Sequence, residues 1–283
     1  MLPTALVINL DRETDRYAHI SREADRVGLS VERIPGVDGL NVPAHLRPKF
    51  FAQSATVPAS LLMPGEVGCY ASHLLAYEHI LEQGLDWALI LEDDVRLSDD
   101  LVATVRDTFN RLPSGWDIVR LSSQPRRSVL IVDTLQTGRH LVRYSKLPKQ
   151  AGAQLVSASG ARKLLQPGLR VRPIDADLRH GYLFDLDMYG VYPTPVRHSG
   201  LFRSSIKFGP GSRRLLRGGR WQAPRWSQRL LASKQAWQTL RPRGIAICAM
   251  QDVSLWAQSR RWPVGTRLSH HRARLNMLAQ HRM

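Results

Sequence analysis

Ala88-Leu89-Ile90-Leu91-Glu92-Asp93-Asp94 is an apolar run that ends in three consecutive carboxylates. The apolar part is typical of a buried strand. Three adjacent carboxylates repel one another, and an ordinary fold gains little from placing them at a strand end. A divalent cation such as Mg²⁺ or Mn²⁺ removes that cost, because it prefers oxygen ligands, and it can bridge to a diphosphate. The alternative is a solvated acidic turn before a helix that Ser98-Asp99-Asp100 caps.

The residues around this run alternate between predicted strands and predicted helices. An apolar run at 5–10 predicts a strand, and Tyr17, Ile20, Ala24 and Val27 then follow at the spacing of one helical face. Further strands are predicted at 30–34, 87–91, 116–121 and 153–157, and further helices at 64–84, 101–109 and 158–165. This alternation predicts an α/β fold with a mostly parallel sheet and helices on both faces. In such sheets, ligands bind beyond the carboxyl ends of the strands.

The positive charge of the chain is concentrated near its C-terminal end. The 283 residues carry a net charge of +16, yet residues 1–200 hold 23 basic and 23 acidic side chains. Residues 201–283 hold 17 basic residues, one acidic residue and five of the seven tryptophans. We therefore predict a neutral α/β domain over residues 1–208 and a basic, Trp-rich, mainly helical extension over residues 209–283.

The composition excludes several classes of protein. A hydrophobic share of 43% with 23% charged residues excludes a wholly disordered chain. Apolar runs stay far below the roughly 20 residues of a transmembrane helix, and Met1-Leu2-Pro3-Thr4 lacks the features of a signal peptide. Two cysteines, Cys69 and Cys248, cannot build a disulfide framework, so a reducing cytoplasm is the expected compartment.

Polar residues follow the first predicted strand at the point where ligands bind in α/β sheets. Asn9 and Asp11 come directly after the apolar run, and Arg12 and Arg16 lie close behind. Such groups can contact the base and ribose of a nucleotide, and an arginine can meet its phosphates. The alternative is that Asp11 or Thr14 caps the helix while the arginines are solvated. The sequence contains neither G-x-G-x-x-G nor G-x-x-x-x-G-K-[ST], the fingerprints of dinucleotide and P-loop sites.

Four sequence blocks carry a resemblance to a known family. They are 7–16 with 33–39, then 64–73 (Pro-Gly-Glu-Val-Gly-Cys-Tyr-Ala-Ser-His), 88–95, and 157–165 followed by Pro173-Ile174-Asp175. In order and spacing these blocks resemble glycosyltransferase family 25. That is the family of bacterial lipooligosaccharide galactosyltransferases, to which the collagen galactosyltransferases are related. The resemblance covers roughly residues 4–206, and Gln154 stands where it predicts an aromatic residue.

The resemblance implies a GT-A-like, Rossmann-like fold, a UDP-sugar donor that is usually UDP-galactose, and inversion at the anomeric carbon. It also implies that the acidic triplet acts as the DxD motif, with Asp94 and Glu92 as ligands of Mn²⁺ or Mg²⁺. By the same resemblance, Glu92 or Asp93 holds the ribose or a metal-bound water. The predicted nucleotide-sugar-binding residues are Asn9, Asp11, Arg12, Arg16, Asp38, Glu92 and Asp93.

Sugar transfer also requires a base, because the acceptor hydroxyl must lose its proton as it attacks. Asp175 and Asp177 are the candidates, and capping of the local helix by Asp175 is the alternative. Glu66 is a third candidate, whose alternative role is a favourable charge in the first turn of its helix. Asp185 and Asp187 remain further possibilities.

Two residues on the same predicted helix as Glu66 are given structural roles. His73 is expected to be a core histidine bonded to a neighbour, in preference to a metal ligand. Cys69 is expected to pack as a small apolar group. Neither Cys69 nor Ser72 has a nearby base in the sequence that would favour nucleophilic catalysis.

The C-terminal extension contains a predicted amphipathic helix at 225–241. Its apolar stripe combines with basic residues in a pattern that suits the headgroup zone of an anionic membrane. The stripe is Trp226, Leu230, Ser233, Trp237 and Leu240, and the basic residues are Arg225, Arg229, Lys234 and Arg241. A helix packed on the domain is the alternative. Nucleic acid is a weaker candidate, because the sequence has no recognised nucleic-acid-binding module.

Two functional hypotheses follow. The first is a metal-dependent galactosyltransferase that extends a lipopolysaccharide core. It uses a lipid-linked oligosaccharide acceptor and works at the cytoplasmic face of the inner membrane. The second is a nonenzymatic membrane- or nucleic-acid-binding protein with a degenerate transferase domain. The intact acidic triplet and the polar first turn favour the enzyme.

Overall fold

A computed structural model of the chain describes residues 5–51, 60–122, 124–125, 128–202, 244–246 and 249. The predicted tail helix at 225–241 and the boundary at residue 208 lie outside the described residues. No helix among the described residues combines the length and apolar character needed to cross a bilayer.

The described residues form ten strands and five α-helices. The strands are β1 (Ala5–Asn9), β2 (Val31–Pro35), β3 (Trp87–Glu92), β4 (Val95–Leu97), β5 (Ile118–Arg120), β6 (Val129–Thr134), β7 (His140–Tyr144), β8 (Ala153–Ser157), β9 (Met188–Tyr192) and β10 (Val196–His198). The helices are α1 (Thr14–Val27), α2 (Pro64–Glu82), α3 (Leu101–Arg111), α4 (Ala158–Leu165) and α5 (Ile174–Arg179), with short 3₁₀ helices at Ala44–Lys49 and Gly181–Leu183.

Eight of these strands form one sheet in the order β2-β1-β3-β8-β5-β9-β7-β6. The pairs β1–β2, β1–β3 and β5–β9 are parallel. Strand β8 lies antiparallel between β3 and β5, and β7 is antiparallel to both β9 and β6. The predicted α/β class is confirmed. The strands β2, β1 and β3, next to the acidic triplet, are all parallel. The rest of the sheet mixes parallel and antiparallel pairs.

Both faces of the sheet are covered by helices, as predicted. Strand β3 alternates between the two hydrophobic cores. Ala88 and Ile90 face a core that includes residues of α2, α4 and α5, whereas Leu89 and Leu91 face a core built with α1 and α3. Burial on both faces explains why this strand is a continuous apolar run in the sequence.

The register of the parallel strands β1 and β3 brings two chain turns together. Ile8 pairs with Glu92, so both strands end at the same edge of the sheet. The side-chain amide of Asn9, at the end of β1, donates to Asp93 Oδ2 at 2.8 Å. The first βα turn is therefore packed against the acidic triplet.

A second sheet of two strands lies next to the acidic triplet. Strands β4 and β10 are antiparallel, and Val95 pairs with His198. The backbone N–H of Ser199 donates to the carbonyl oxygen of Asp94 at 2.7 Å. These contacts bring His198, more than a hundred positions away in the sequence, to the acidic triplet.

Close backbone packing fixes the start of α2 at the same edge. A Cβ on Gly39 would lie 1.6 Å from the carbonyl oxygen of Pro64, and one on Gly68 would lie 2.5 Å from that of Val37. Both positions need glycine because backbone atoms occupy the space of a side chain. The helix start, with Glu66 in its first turn, is therefore held beside the carboxyl end of the sheet.

Candidate active site

An open cleft of about 180 Å³ lies beyond the carboxyl end of β3. Four carboxylates line it: Glu66 from α2, Glu92 and Asp94 from the end of β3, and Asp175 from α5. These residues are distant in sequence, and the sheet edge brings them together. Their negative charges make the cleft a favourable place for a cation.

The central residue of the triplet, Asp93, points away from the cleft and is fully engaged. It is buried, and it accepts hydrogen bonds from Asn9 Nδ2 at 2.8 Å and from Arg16 Nε at 2.7 Å. Burial raises the pKa of the Asp93 carboxyl, although these two partners oppose the rise. Asp93 therefore acts as an internal anchor between β1, α1 and β3.

Asp94 is only half engaged. Its Oδ2 lies 2.8 Å from Arg16 Nη2 and 3.0 Å from His198 Nε2. Its Oδ1 is buried and has no hydrogen-bond partner among the described residues. Burial, followed by the charge of Glu92, raises the pKa of the Asp94 carboxyl. A positive charge bound at Oδ1 would remove both unfavourable effects.

Glu92 completes the acidic group from the end of β3. Its Oε1 lies 3.3 Å from His73 Nε2, and its side chain is 30% exposed. Burial tends to raise the pKa of Glu92, but the hydrogen bond and charge of His73 bring that pKa below its ordinary value. The carboxylate therefore stays ionised at neutral pH and faces the cleft.

The residues fit a hard divalent cation. Asp94 Oδ1 is a buried oxygen without a partner, and Glu92 is an ionised carboxylate on the same cleft wall. Mg²⁺ and Mn²⁺ prefer such oxygen ligands and retain several waters, so one or two carboxylates are sufficient. His198 also lines the cleft, and its Nε2 lies 3.0 Å from Asp94 Oδ2.

The remaining predicted nucleotide-binding residues do not line the cleft. Asp11 pairs with Arg33 at an exposed position, and Arg12 pairs with Asp38 at 2.8 Å, also near the surface. Asn9 accepts a hydrogen bond from Arg33 Nε at 3.0 Å while it donates to the acidic triplet. The first turn thus contacts the acidic triplet through Asn9. The predicted contacts of these residues with a nucleotide remain predictions.

Two of the three candidate bases face the cleft. Glu66 Oε2 accepts a hydrogen bond from the backbone N–H of Met63 at 3.1 Å, so it also caps the start of α2. Asp175 lies in the first turn of α5, where Pro173 is the N-cap residue and no side chain caps the helix. Among the described residues, no hydrogen bond or ion pair engages Asp175. The capping alternative does not apply to Asp175, and its carboxylate is available to the cleft.

The third candidate, Asp177, has a structural position that does not suit a base. It is buried, accepts a hydrogen bond from the Tyr70 hydroxyl at 3.0 Å and pairs with Arg172 at 2.7 Å. A carboxylate held in this way is not free to take a proton from an acceptor. Asp185 and Asp187 also lie outside the cleft lining, and Asp187 pairs with an arginine of β7.

Sequence reasoning missed His198, and the family resemblance predicted an aromatic residue at the position of Gln154. His198 reaches the site through the pairing of two short strands, and no local periodicity predicts that pairing. Gln154 is fully buried in the sheet, where its amide donates to the Tyr77 hydroxyl at 3.0 Å, and it does not line the cleft. His73 matches its expected role as a core histidine bonded to a neighbour.

Comparison with known proteins gives a consistent assignment. Residues 2–167 match the profile described as "Glycosyltransferase family 25 (LPS biosynthesis protein)". A "Glycosyltransferase 25 family member" of Aedes aegypti is 29% identical over 187 residues, which cover 60% of this chain and 29% of that protein. A "Putative glycosyltransferase" of Haemophilus influenzae is 24% identical over 171 residues, which cover 60% of this chain and 58% of that protein.

Other relatives carry names that bear on activity. An "Inactive glycosyltransferase 25 family member 3" of Mus musculus is 29% identical over 206 residues, covering 67% of this chain and 33% of that protein. The chain therefore spans well under two thirds of the length of each of these relatives. Among solved structures, a glycosyltransferase involved in the glycosylation of the major capsid of PBCV-1 matches with a TM-score of 0.32 and 9% identity. That match covers 57% of this chain and 63% of the other.

The buried contact of Arg16 with the triplet gives the first prediction. Arg16→Met should lower the free energy of unfolding at neutral pH by about 3–5 kcal/mol, because it leaves two buried carboxylates without their counter-charge. Arg12→Met is the matched control, since its pair with Asp38 is exposed, and it should change stability by at most about 1 kcal/mol. Urea denaturation measures both.

The pH dependence of the same variant follows from the raised pKa values of Asp93 and Asp94. The unpaired charges are unfavourable only while the carboxyls are ionised, above these pKa values. As pH falls through them, both groups become neutral and the loss caused by Arg16→Met should shrink. A loss that is unchanged in acid would contradict the electrostatic explanation.

Proposed function

Because this chain belongs to glycosyltransferase family 25, we propose that it is an inverting, metal-dependent transferase of a sugar from a UDP-sugar donor. The observation that carries the proposal is the cleft, where Asp94 Oδ1 and the ionised Glu92 lie on one wall. Within the described part of the chain, neither Asp94 Oδ1 nor Asp175 has a hydrogen-bond partner. We propose galactose as the sugar, which follows from the sequence resemblance.

Two residues at the end of β3 would hold the cation. Asp94 and Glu92 offer oxygen ligands on one wall, and Arg16 and His198 fix the orientation of Asp94 through its other oxygen. When bound, Mn²⁺ or Mg²⁺ supplies Lewis-acid neutralisation of the charge that develops on the leaving diphosphate. The charge of Arg16 is already paired with the carboxylates of Asp93 and Asp94. The bound cation would therefore neutralise the diphosphate.

Asp175 is the proposed base. It reaches the cleft from α5, a different element from the strand that supplies Asp94 and Glu92. An acceptor hydroxyl bound between them could pass its proton to the Asp175 carboxylate as its oxygen attacks the anomeric carbon. Glu66 also faces the cleft, but its Oε2 is engaged in capping α2. Glu66 therefore has one oxygen engaged in a hydrogen bond, whereas none of the described residues bonds to the Asp175 carboxylate.

We further propose that the acceptor is a lipid-linked oligosaccharide of a lipopolysaccharide or lipooligosaccharide core. The support is the family description, which refers to LPS biosynthesis, and the resemblance of the sequence blocks. Such an acceptor suits an enzyme at the cytoplasmic face of the inner membrane. The basic extension over residues 209–283 would supply attachment to that anionic surface.

The second candidate function is a nonenzymatic binding protein with a degenerate transferase domain. It is supported by the relatives named inactive, which are about as similar to this chain as the other relatives are. The two candidates differ in one measurable property. The enzyme requires UDP and a divalent cation to bind at the acidic cleft, whereas a degenerate domain has no such requirement.

The acidic cleft predicts a cation requirement that depends on Asp94. Asp94→Asn keeps the shape of the side chain but removes its charge. It should abolish the thermal stabilisation by UDP with Mn²⁺ and reduce transfer on the order of 10²-fold or more. Asp99→Asn, at a side chain that is 94% exposed, is the control and should behave as the wild type. Full transfer activity of the wild type in chelator would exclude the metal-dependent mechanism.

The assignment of the base predicts a separation between binding and turnover. Asp175→Asn should lower kcat by about 10²- to 10⁴-fold and leave the stabilisation by UDP with Mn²⁺ intact. Glu66→Gln is the matched comparison, because glutamine can still cap α2, and it should retain most turnover. If Glu66→Gln abolishes turnover and Asp175→Asn does not, the base is Glu66.

Membrane attachment predicts binding that depends on charge. The full chain should co-sediment with anionic vesicles and not with neutral ones, and added salt should weaken the binding. Replacing Arg225, Arg229, Lys234 and Arg241 by Gln should reduce the affinity about a thousandfold, since each basic residue contributes about 1 kcal/mol. Replacing the three arginines by Lys keeps the charge and should keep most of the binding. Equal binding to neutral vesicles would contradict the electrostatic account.

A further inference from the structure

Three side chains of different chemistry meet beside the cleft, and two of them, Cys69 and Glu92, line it. The Cys69 thiol, the His73 imidazole and the Glu92 carboxylate each offer a ligand atom within 4.8 Å of the other two. We propose that they form a binding site for a thiophilic divalent cation of the Zn²⁺ class. This site adjoins the position proposed for Mg²⁺ or Mn²⁺ and shares Glu92 with it.

The helix geometry prepares this arrangement. Cys69 and His73 are four residues apart on α2, so their side chains lie on the same face one turn apart. Glu92 approaches them from the end of β3, with its Oε1 at 3.3 Å from His73 Nε2. His73 is buried, and its Nδ1 has no hydrogen-bond partner among the described residues. The imidazole is therefore held in place while one of its nitrogens lacks a polar contact.

The distances are compatible with tetrahedral coordination after a small adjustment. Zinc binds sulfur at about 2.3 Å and nitrogen at about 2.0–2.1 Å, which separates the ligand atoms by about 3.3–3.8 Å. The three ligand atoms are at most 4.8 Å apart, so each pair must approach by no more than about 1–1.5 Å to reach these separations. Cys69 and Glu92 both line the cleft, so the fourth position can be taken by water.

The donor set selects the class of cation. Sulfur and imidazole ligands favour Zn²⁺ and Co²⁺, whereas Mg²⁺ prefers a set of oxygens. The thiol binds as thiolate, so its proton passes to solvent and the sulfur lone pair forms the bond to the metal. Burial raises the pKa of the Cys69 thiol, and so do the negative charges of the carboxylates of Glu92, Asp175, Asp94 and Glu66. These charges would attract a cation to it.

Binding at this site has a consequence for the proposed function and rests on it. A cation that draws Glu92 toward Cys69 and His73 takes a ligand from the Mg²⁺ or Mn²⁺ position. Zn²⁺ should therefore inhibit the Mn²⁺-dependent transfer. The binding itself does not require that the chain is an active transferase, so it can be measured without any sugar donor.

The test is a Co²⁺ titration of the full chain in the absence of nucleotide. Ligation by sulfur should produce a thiolate-to-cobalt charge-transfer band in the near ultraviolet, saturating at one Co²⁺ per chain and reversed by Zn²⁺. Cys69→Ser should lose the band, and Cys248→Ser, which alters the other cysteine of the chain, should keep it. A wild type without the band, or a band that disappears with Cys248, would overturn the proposal.

Two further measurements keep the test decisive if Cys69→Ser does not fold. His73→Gln should weaken Co²⁺ binding at least about tenfold, the smallest loss expected for an outer-shell partner of a metal site. In the wild type, Zn²⁺ but not Mg²⁺ should protect Cys69 from alkylation, measured by peptide mass. Equal alkylation with and without Zn²⁺ refutes the site. A charge-transfer band without any UDP-dependent activity supports the site and counts against the proposed function alone.

Discussion

The buried guanidinium of Arg16 holds the acidic end of β3 in place. It contacts Asp93 through two of its nitrogens and Asp94 through one of them, and all three side chains are largely shielded from solvent. A buried ion pair of this kind contributes little net stability, because desolvation offsets the attraction, but removing one partner is strongly destabilising. Its effect is therefore mainly on orientation. Because α1 is held against the acidic turn, Asp93 faces inward and one oxygen of Asp94 has no partner in the part of the chain that the structure describes.

This constraint gives the acidic residues different roles. Asp93 is satisfied by an amide and a guanidinium and behaves as part of the fold. Asp94 has one engaged and one unengaged oxygen, and Asp175 has no hydrogen bond among the described residues. Asp93 is therefore a structural anchor, Asp94 can bind a ligand through one oxygen, and the Asp175 carboxylate is available to react. Such separation of roles by environment is how one cleft can combine cation binding with proton transfer.

Local patterns in the sequence were sufficient for the first half of the fold. Strands β1, β2 and β3 and helices α1, α2 and α3 follow from apolar runs and helical spacing, which depend on neighbouring residues only. The antiparallel insertion of β8 between β3 and β5 was not predictable, because strand order depends on contacts between distant residues. The short strands β4 and β10 also escaped prediction, and His198 with them.

The same limit separates the predictable and unpredictable parts of the site. Glu66, Glu92, Asp94 and Asp175 were selected from local sequence, and the structure gathers them around one cleft. Asp175 and Asp177 are indistinguishable in the sequence, since both fall in the first turn of a short helix. Their difference arises because Tyr70, on a separate helix, donates to Asp177 and leaves Asp175 alone. Only the packing of α5 against α2 could reveal which carboxylate is available.

The unpartnered oxygen of Asp94 also bears on whether the domain is active. Leaving a buried polar atom without a partner costs about 1–3 kcal/mol, and more when the group is charged. A domain that had lost its ligand would be more stable with an uncharged residue here, because the repulsion from Glu92 would then disappear as well. This chain instead keeps the charged residue and surrounds it with groups that orient it. A cation bound at this oxygen would remove that cost, which favours the transferase over a degenerate binding protein.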